Sequence, residues 1–238
     1  MPHDQDVPLA RLAALLADPT RATVCTALLD GRAWSASELA RHAGVSPSTA
    51  SEHLSRLIDA TLLVEERQGR HRYVRLAGSE VAGLIEDLTV FARSAWPSPA
   101  EPPRSLREST RRSAEARART CYDHLAGQLG VAVRDASVAL GLVADEPGLA
   151  VTEQGWEWLA GLGVERPTRA RSRPALRSCV DWTERRRHLG GVYGATVHRT
   201  AFERQWVERI GSGRALRLTP AGADGFHELL GLDLAAAG

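Results

Sequence analysis

The chain has 238 residues, 43% hydrophobic and 25% charged, with 30 basic against 29 acidic side chains and a net charge of +1. These proportions are those of an ordinary globular protein and exclude wholesale disorder and collagen-like architecture, while the length allows one large domain or two modest ones. The near balance of charge means that any nucleic-acid surface must be argued from local clusters, and the 30 basic residues are all arginine. No apolar run reaches membrane-spanning length; the best, Val131 to Ala144, is broken by Arg134 and Asp135. Met1 to Asp6 lacks the basic start and apolar stretch of a secretory signal, so a cytoplasmic protein with no membrane association is expected. Cys25, Cys121 and Cys179 are too few and too scattered for a disulfide framework.

In chain order, Leu9, Leu12, Leu15 and Leu16 make the apolar stripe of a first helix. Asp18-Pro19 is an N-cap followed by proline at the first helical position, opening a helix that runs to Leu29 and is followed by Gly31. Ser35 to Glu38 is a capping box, and the helix it starts ends at Gly44. Ser46-Pro47 opens another, which buries Ala50, Leu54, Leu57 and Ile58 at i, i+4, i+7 and i+8. Two short helices joined by Ala43 to Ser46 have the helix-turn-helix arrangement. The second turns Ser48, Thr49, Ser51, Glu52, His53, Ser55 and Arg56 to solvent. Short hydroxyls let a helix sit deep in the major groove, with His53 and Arg56 reaching phosphate or base edges. Leu63 to Arg67 and Arg70 to Leu76 flank a Gln68-Gly69 tip, predicting a β-hairpin whose Arg67, Arg70, His71 and Arg72 suit the phosphate backbone or minor groove. A helix bearing Val81, Leu84, Ile85, Leu88 and Phe91 follows. The proline-rich stretch 96–103 then separates residues 1–95, which read as a DNA-binding domain, from residues 104–238.

With these residues in place, the first domain resembles the ArsR/SmtB family of bacterial winged-helix repressors. The match rests on Leu16 to Arg21, Ser37 to Ala40, Ser46 to Leu54 and the Gly69-Arg70 wing, and spans about residues 7–92. The resemblance implies a homodimer assembled through the first helix and the helix after the wing. It also implies repression by occupancy of a palindromic operator, with half-sites about one helical turn apart or a multiple of it, relieved when an effector binds. Departures bear on the effector. The segment Arg32 to Leu39 carries no cysteine pair, and the helix after the wing lacks the usual His and Asp ligands, so the family's common metal sites are absent. Cys25 shares a face with Ala22 and Leu28 and is expected to be a small buried hydrophobe. The alternative for the module is a winged helix used only for protein contacts.

The second domain carries a duplication. His124-Leu125-Ala126-Gly127-Gln128-Leu129-Gly130 is echoed 64 residues later from His188, and Leu149 to Gly155 is echoed with an offset of 67 from Leu216. Each copy reads as a helix with G-x-x-G spacing, a short strand and an amphipathic helix. Because no strand is expected before either glycine group, the glycines are assigned to close helix packing rather than to a phosphate loop. The fold class is therefore mainly α: a winged helix with a β-hairpin wing, and a helical domain of two repeats.

Three readings of this domain stay open. Cys121, His124, Cys179 and His188 offer two thiols and two imidazoles, the donor set of a tetrahedral zinc site, with Asp123 or Asp181 as alternative ligands and haem as a variant. Cys121 and His124, at i and i+3, are expected on one face of a helix, and the two cysteines do not occupy equivalent repeat positions. The histidines equally serve as caps or core partners while the cysteines pack. Tyr122, Trp156, Trp182, Tyr193 and Trp206 are candidates for an organic effector pocket between the repeats, or for core. The arginine runs 104–119 and 166–187 are read as solvated faces partly paired with Glu108, Glu115 and Glu184. No serine sits in a G-x-S-x-G elbow and no acid–base–nucleophile set assembles around Ser178 or Cys179, so no catalytic residue is assigned.

Overall fold

The computed structural model describes residues 7–68, 71–96, 105–145, 148–166, 173–211 and 213–234, with the side chains of His71 and Arg107 left aside. It divides into two compact units, up to Thr89 and from Val90 onward. The division falls inside a helix, ahead of the predicted 96–103 linker, of which Trp96 alone is among the described residues.

The first unit follows its local signals. Helix α1 spans Pro8–Leu16 and buries none of its residues. Helix α2, Pro19–Ala27, is capped by Asp18, whose side chain accepts from the Arg21 N–H, and continues as a 3-10 turn to Asp30 before Gly31 adopts a left-handed φ of 76°. Both halves of the Ser35–Glu38 capping box form at the start of α3, Ala36–Ala43, which ends on Gly44 at φ 69°. Helix α4, Pro47–Asp59, buries Ala50, Leu54 and Leu57, while Ile58 is half-buried at the margin. Strands β2 (Leu63–Gln68) and β3 (His71–Leu76) form the wing, and β3 lies between β2 and a short β1, Trp34–Ser35, whose Ser35 also caps α3. Helix α5, Ser79–Ala95, closes the unit and runs into the second. Cys25 is fully buried, and burial pushes its thiol up to about 11, which makes it an inert core residue.

The second unit corrects the helix–strand–helix expectation. After α6, Leu106–Arg117, each repeat is a β-hairpin, a helix, a second hairpin and a helix. The first comprises β4 (Arg119–Cys121), β5 (His124–Ala126), α7 (Gly127–Ala139), β6 (Val143–Ala144), β7 (Ala150–Val151) and α8 (Glu153–Gly161). The second comprises β8 (Arg177–Val180), β9 (Arg187–Gly190), α9 (Gly191–Glu203), β10 (Val207–Arg209), β11 (Leu216–Leu218) and α10 (Pro220–Leu230). Strands do precede both glycine groups. The packing role of the glycines stands nonetheless: a Cβ on Gly130 would meet the Leu125 carbonyl oxygen at 2.4 Å, and one on Gly194 would meet that of Leu189 at 2.0 Å. The closing motifs are also equivalent. Thr152 caps α8 and Thr219 caps α10, each hydroxyl accepting from the glycine N–H three residues on and donating back to the preceding corner.

One corner recurs three times. Where α4, α7 and α9 turn into their hairpins, Thr61, Gly141 and Gln205 take left-handed φ of 58°, 68° and 57°. In each, the following amide (Leu62, Leu142, Trp206) donates to the carbonyl five residues back. Each C-terminal repeat thus reproduces the helix–wing–helix part of the first unit. Here the helices serve each other: α7 packs on β9 and α9 on β5, around a core that includes Leu125, Leu129, Leu159, Leu189, Tyr193 and Phe226.

Candidate nucleic-acid interface and metal centre

On α4, the Ser46 side chain accepts from the Thr49 N–H and shares hydroxyl hydrogen bonds with Ser48 and Thr49, and all three residues are exposed at the helix start. Arg56 is exposed one turn from its end, ion-paired with Glu52 at 2.6 Å. His53 is placed differently from the expectation of a solvent-facing residue. Its ring is half-buried against the start of α2, with Nδ1 3.6 Å from Asp18 Oδ1 and 3.3 Å from Arg21 Nη1. Arg21, itself buried, donates from Nε and Nη2 to the Leu15 and Ala14 carbonyls at the end of α1, so His53 belongs to the joint that fixes three helices. Arg72 is also not a tip residue. It donates to Glu65 at 2.6 Å and reaches Ser51 and Ser55 of α4 at 3.2 and 3.5 Å, latching the wing to that helix. Arg67 pairs with the same Glu65 yet stays exposed. Gly69, Arg70 and the side chain of His71 lie outside the described residues.

In the second unit, Cys121 and His124 are not on a helix: they are directly opposed across the β4–β5 hairpin. Cys179 and His188 are directly opposed across β8–β9. The cysteines therefore do occupy equivalent positions. Spacings of three and nine residues conceal this because one hairpin closes on Tyr122-Asp123, with Tyr122 at φ 56°, and the other on the longer Asp181 to Arg186 loop. Close approach of the repeats then joins the pairs. The His124 ring lies against Gly190, His188 Cβ approaches Gly130, and the two imidazoles stand 5.0 Å apart between centroids. One ligand atom from each of Cys121, His124, Cys179 and His188 lies within 4.8 Å of all the others, and all four side chains are buried.

The donor chemistry fits a metal ion. Neither ring nitrogen of His188, 1% exposed, has a hydrogen-bond partner among the described residues, and buried polar atoms in that state are rare. Burial and the neighbouring His124 push His188 down toward the neutral imidazole that a metal requires. The hydrogen bond from Cys121, then His124 and His188, hold the Cys179 thiol far below its ordinary range despite burial. Tetrahedral zinc, with bonds of about 2.3 Å to sulfur and 2.0 Å to nitrogen, spaces its ligand atoms about 3.5 Å apart, so the side chains need only a small closure. Asp123 and Asp181, alternative ligands on the sequence alone, stand behind the imidazoles. Asp123 Oδ1 lies 3.5 Å from His124 Nδ1, and Asp181 Oδ2 lies 3.6 Å from His188 Nδ1, positions from which a carboxylate orients a ligating ring. Asp123 also accepts two hydrogen bonds from Arg173; burial pushes its carboxyl up, but His124 and Arg173 hold it at about 2.

The five aromatic residues face different partners. Tyr193 is fully buried, donates from its hydroxyl to Ser137 Oγ at 2.8 Å and stacks on Trp158. Trp206 packs on Phe226 in the core, Trp156 lies under Arg166, and Trp182 lies against Arg93 and Arg119. Tyr122 forms the β4–β5 turn. Tyr193 and Trp206, both pocket candidates, are thus buried in the hydrophobic core of the second unit. Of the arginine runs, Arg112 pairs with Glu108, Arg166 with Glu153 and Arg186 with Asp135.

A family model for a helix-turn-helix domain matches residues 16–66. The HTH-type transcriptional regulator YdfF of Bacillus subtilis is 37% identical over 228 residues, which cover 95% of this chain and 98% of its own. The chain belongs to the HTH-type transcriptional regulators. Its first unit carries the helix-turn-helix domain of such a regulator. The regulator is also similar to CmtR of Mycobacterium tuberculosis, an HTH-type transcriptional regulator, at 42% identity over 80 residues, 34% of this chain and 67% of CmtR. Among solved structures, the homodimeric winged helix-turn-helix domain of Mb0332 from Mycobacterium bovis aligns with 26% identity, 43% of this chain, 98% of that one and a TM-score of 0.35. The CmtR alignment spans only about a third of the regulator, and YdfF nearly all of it.

Proposed function

We propose that the regulator is a homodimeric repressor whose affinity for a palindromic operator is set by one zinc ion per chain, held by Cys121, His124, Cys179 and His188. The observation that carries this reading is the convergence of four buried ligand atoms within 4.8 Å, drawn from two hairpins whose ligands lie 55 or more residues apart in sequence. Two thiolates and two imidazoles suit zinc in a closed tetrahedral site, and zinc supplies a charge that ties the hairpins together without redox chemistry. The protein's own part is to hold the donors in place: Asp123 and Asp181 face the histidine Nδ1 atoms, Gly190 admits the His124 ring, and Gly130 admits the Cβ of His188.

At the other end, Ser46, Ser48, Thr49 and Arg56 are the base- and phosphate-reading side of α4, and Arg67, with Arg70 and His71, the phosphate contacts of the wing. Ser51 and Arg72 keep the wing at its angle to the helix. Dimerisation through α1 and α5 is supported by their exposed apolar residues, Leu9 at 72% and Leu88 at 43%. The test is elemental analysis of the purified chain. About one zinc per chain, lost in Cys121→Ser and His188→Gln, is expected, together with a change in operator affinity on chelation. Metal-free wild-type protein that takes up no added zinc would overturn the reading.

A further inference from the structure

We infer that Trp182 couples occupancy of the Cys121–His124–Cys179–His188 centre to helix α5, an inference that rests on the metal reading above. Cys179 and His188 are directly opposed in β8–β9, and the loop that this hairpin carries begins with Asp181, two residues after Cys179. Asp181 is fully buried and fixes the loop base from several sides. Its Oδ2 accepts from Arg119 at 2.8 Å and from the Gly127 N–H at the start of α7 at 2.6 Å; its Oδ1 accepts from Thr183 and from the Glu184 N–H. The same Oδ2 stands 3.6 Å from His188 Nδ1. Any movement that seats the Cys179 and His188 donors on an ion is therefore imposed on the adjoining loop residue.

That residue is Trp182. Its ring lies 4.8 Å from the guanidinium carbon of Arg119, the arginine held by Asp181, and 4.4 Å from that of Arg93. Its indole Nε1 is buried with no hydrogen-bond partner among the described residues, so arginine–ring contacts rather than a hydrogen bond set its position. Arg93 sits in the last turn of α5, whose residues from Ser79 to Thr89 belong to the winged-helix unit. Contacts thus run without a gap from His188 to Asp181, Arg119, Trp182 and Arg93. The buried His188 supplies the second state that coupling needs, because one of its ring nitrogens, without a hydrogen-bond partner among the described residues, gains one when the ion enters.

The test uses the full chain, zinc chloride as probe, and a duplex selected from a random library by the wild-type protein. Zinc stoichiometry and DNA affinity by fluorescence anisotropy are measured with and without zinc for wild type, Trp182→Leu, Trp182→Phe and Arg93→Gln. Zinc is expected to shift wild-type DNA affinity about tenfold. Trp182→Leu and Arg93→Gln are expected to bind one zinc per chain and to match wild type on DNA when metal-free, with the zinc effect reduced to about twofold or less. Trp182→Phe, which keeps a ring face, retains an intermediate effect. Arg93 lies at an exposed helix end, so its variant carries the test if Trp182→Leu fails to fold. Full zinc response in Arg93→Gln, or zinc uptake by wild type with no change in DNA affinity, overturns the coupling while leaving the metal centre standing. Failure of wild type to bind zinc overturns the metal reading itself.

Discussion

Asp181→Ala is the substitution with the largest expected effect on stability. The carboxylate and the Arg119 guanidinium it binds are 0% and 1% exposed, so removing the acid leaves a buried cation short of its counter-charge. Breaking a buried pair from one side costs about 3–5 kcal/mol. Arg119 keeps its bonds to the Glu115 carbonyl and Thr183 hydroxyl, which places the loss toward the lower half of that range. The amides of Gly127, Thr183 and Glu184 lose their acceptor as well, which moves it back up, and about 4 kcal/mol results. Asp181→Asn keeps the volume and one acceptor and should cost less, about 1.5–3 kcal/mol. The assay is urea unfolding followed by tryptophan fluorescence, which reports mainly on the second unit, since Trp156, Trp158, Trp182 and Trp206 lie there. Chelator in every sample keeps metal linkage out of the comparison. A loss below about 1 kcal/mol in Asp181→Ala would refute the reasoning, because it would mean that Arg119 recovers solvent or another partner at no cost.

Gly194→Ala should destabilise by more than about 3 kcal/mol or prevent folding, since its Cβ would strike the Leu189 carbonyl oxygen at 2.0 Å and crowd His124 Cβ at 3.1 Å; circular dichroism of the purified variant checks this. Gly161→Ala, with nothing within 4 Å, is the control and should be neutral. Arg56→Ala should weaken DNA binding across sequences and lower the magnitude of the slope of log affinity against log salt by about one, read by anisotropy at several salt concentrations. Arg72→Ala should weaken binding through loss of the wing latch, with an unchanged fold by circular dichroism. Asp18→Ala should cost about 1 kcal/mol at neutral pH as a lost N-cap. The Arg21 N–H, helped by His53 and the Arg21 side chain, holds Asp18 below 3.8. The contribution is therefore complete above that value and fades as pH falls through the lower folded one, so variant and wild type should converge in acid unfolding curves.

Much of the first unit was legible because its signals are local. Asp18, Ser35 and Ser46 each cap the helix that follows through a bond spanning three residues, and such bonds are written in sequence order. The Gln68-Gly69 tip between Leu63 to Arg67 and Arg70 to Leu76 is likewise a local signal that needs no distant partner. The duplication was legible too, since it is a property of the string. What the string could not convey was register. A Cys-x-x-His spacing satisfies one helical turn and a two-residue hairpin equally well, and only the pairing of Arg119 to Cys121 with His124 to Ala126 decides between them. The same holds for Cys179 and His188, where a longer loop hides equivalent strand positions. His53 and Arg72 were misplaced because their partners, Asp18 and Glu65 with Ser51, arrive from other elements. Residue types and repeats thus established a winged-helix regulator with a duplicated domain and nominated four metal donors. Bringing those donors within reach of one another required the tertiary structure, because the contact between β5 and β9 joins segments more than sixty residues apart, and glycine side-chain absence alone makes room for it.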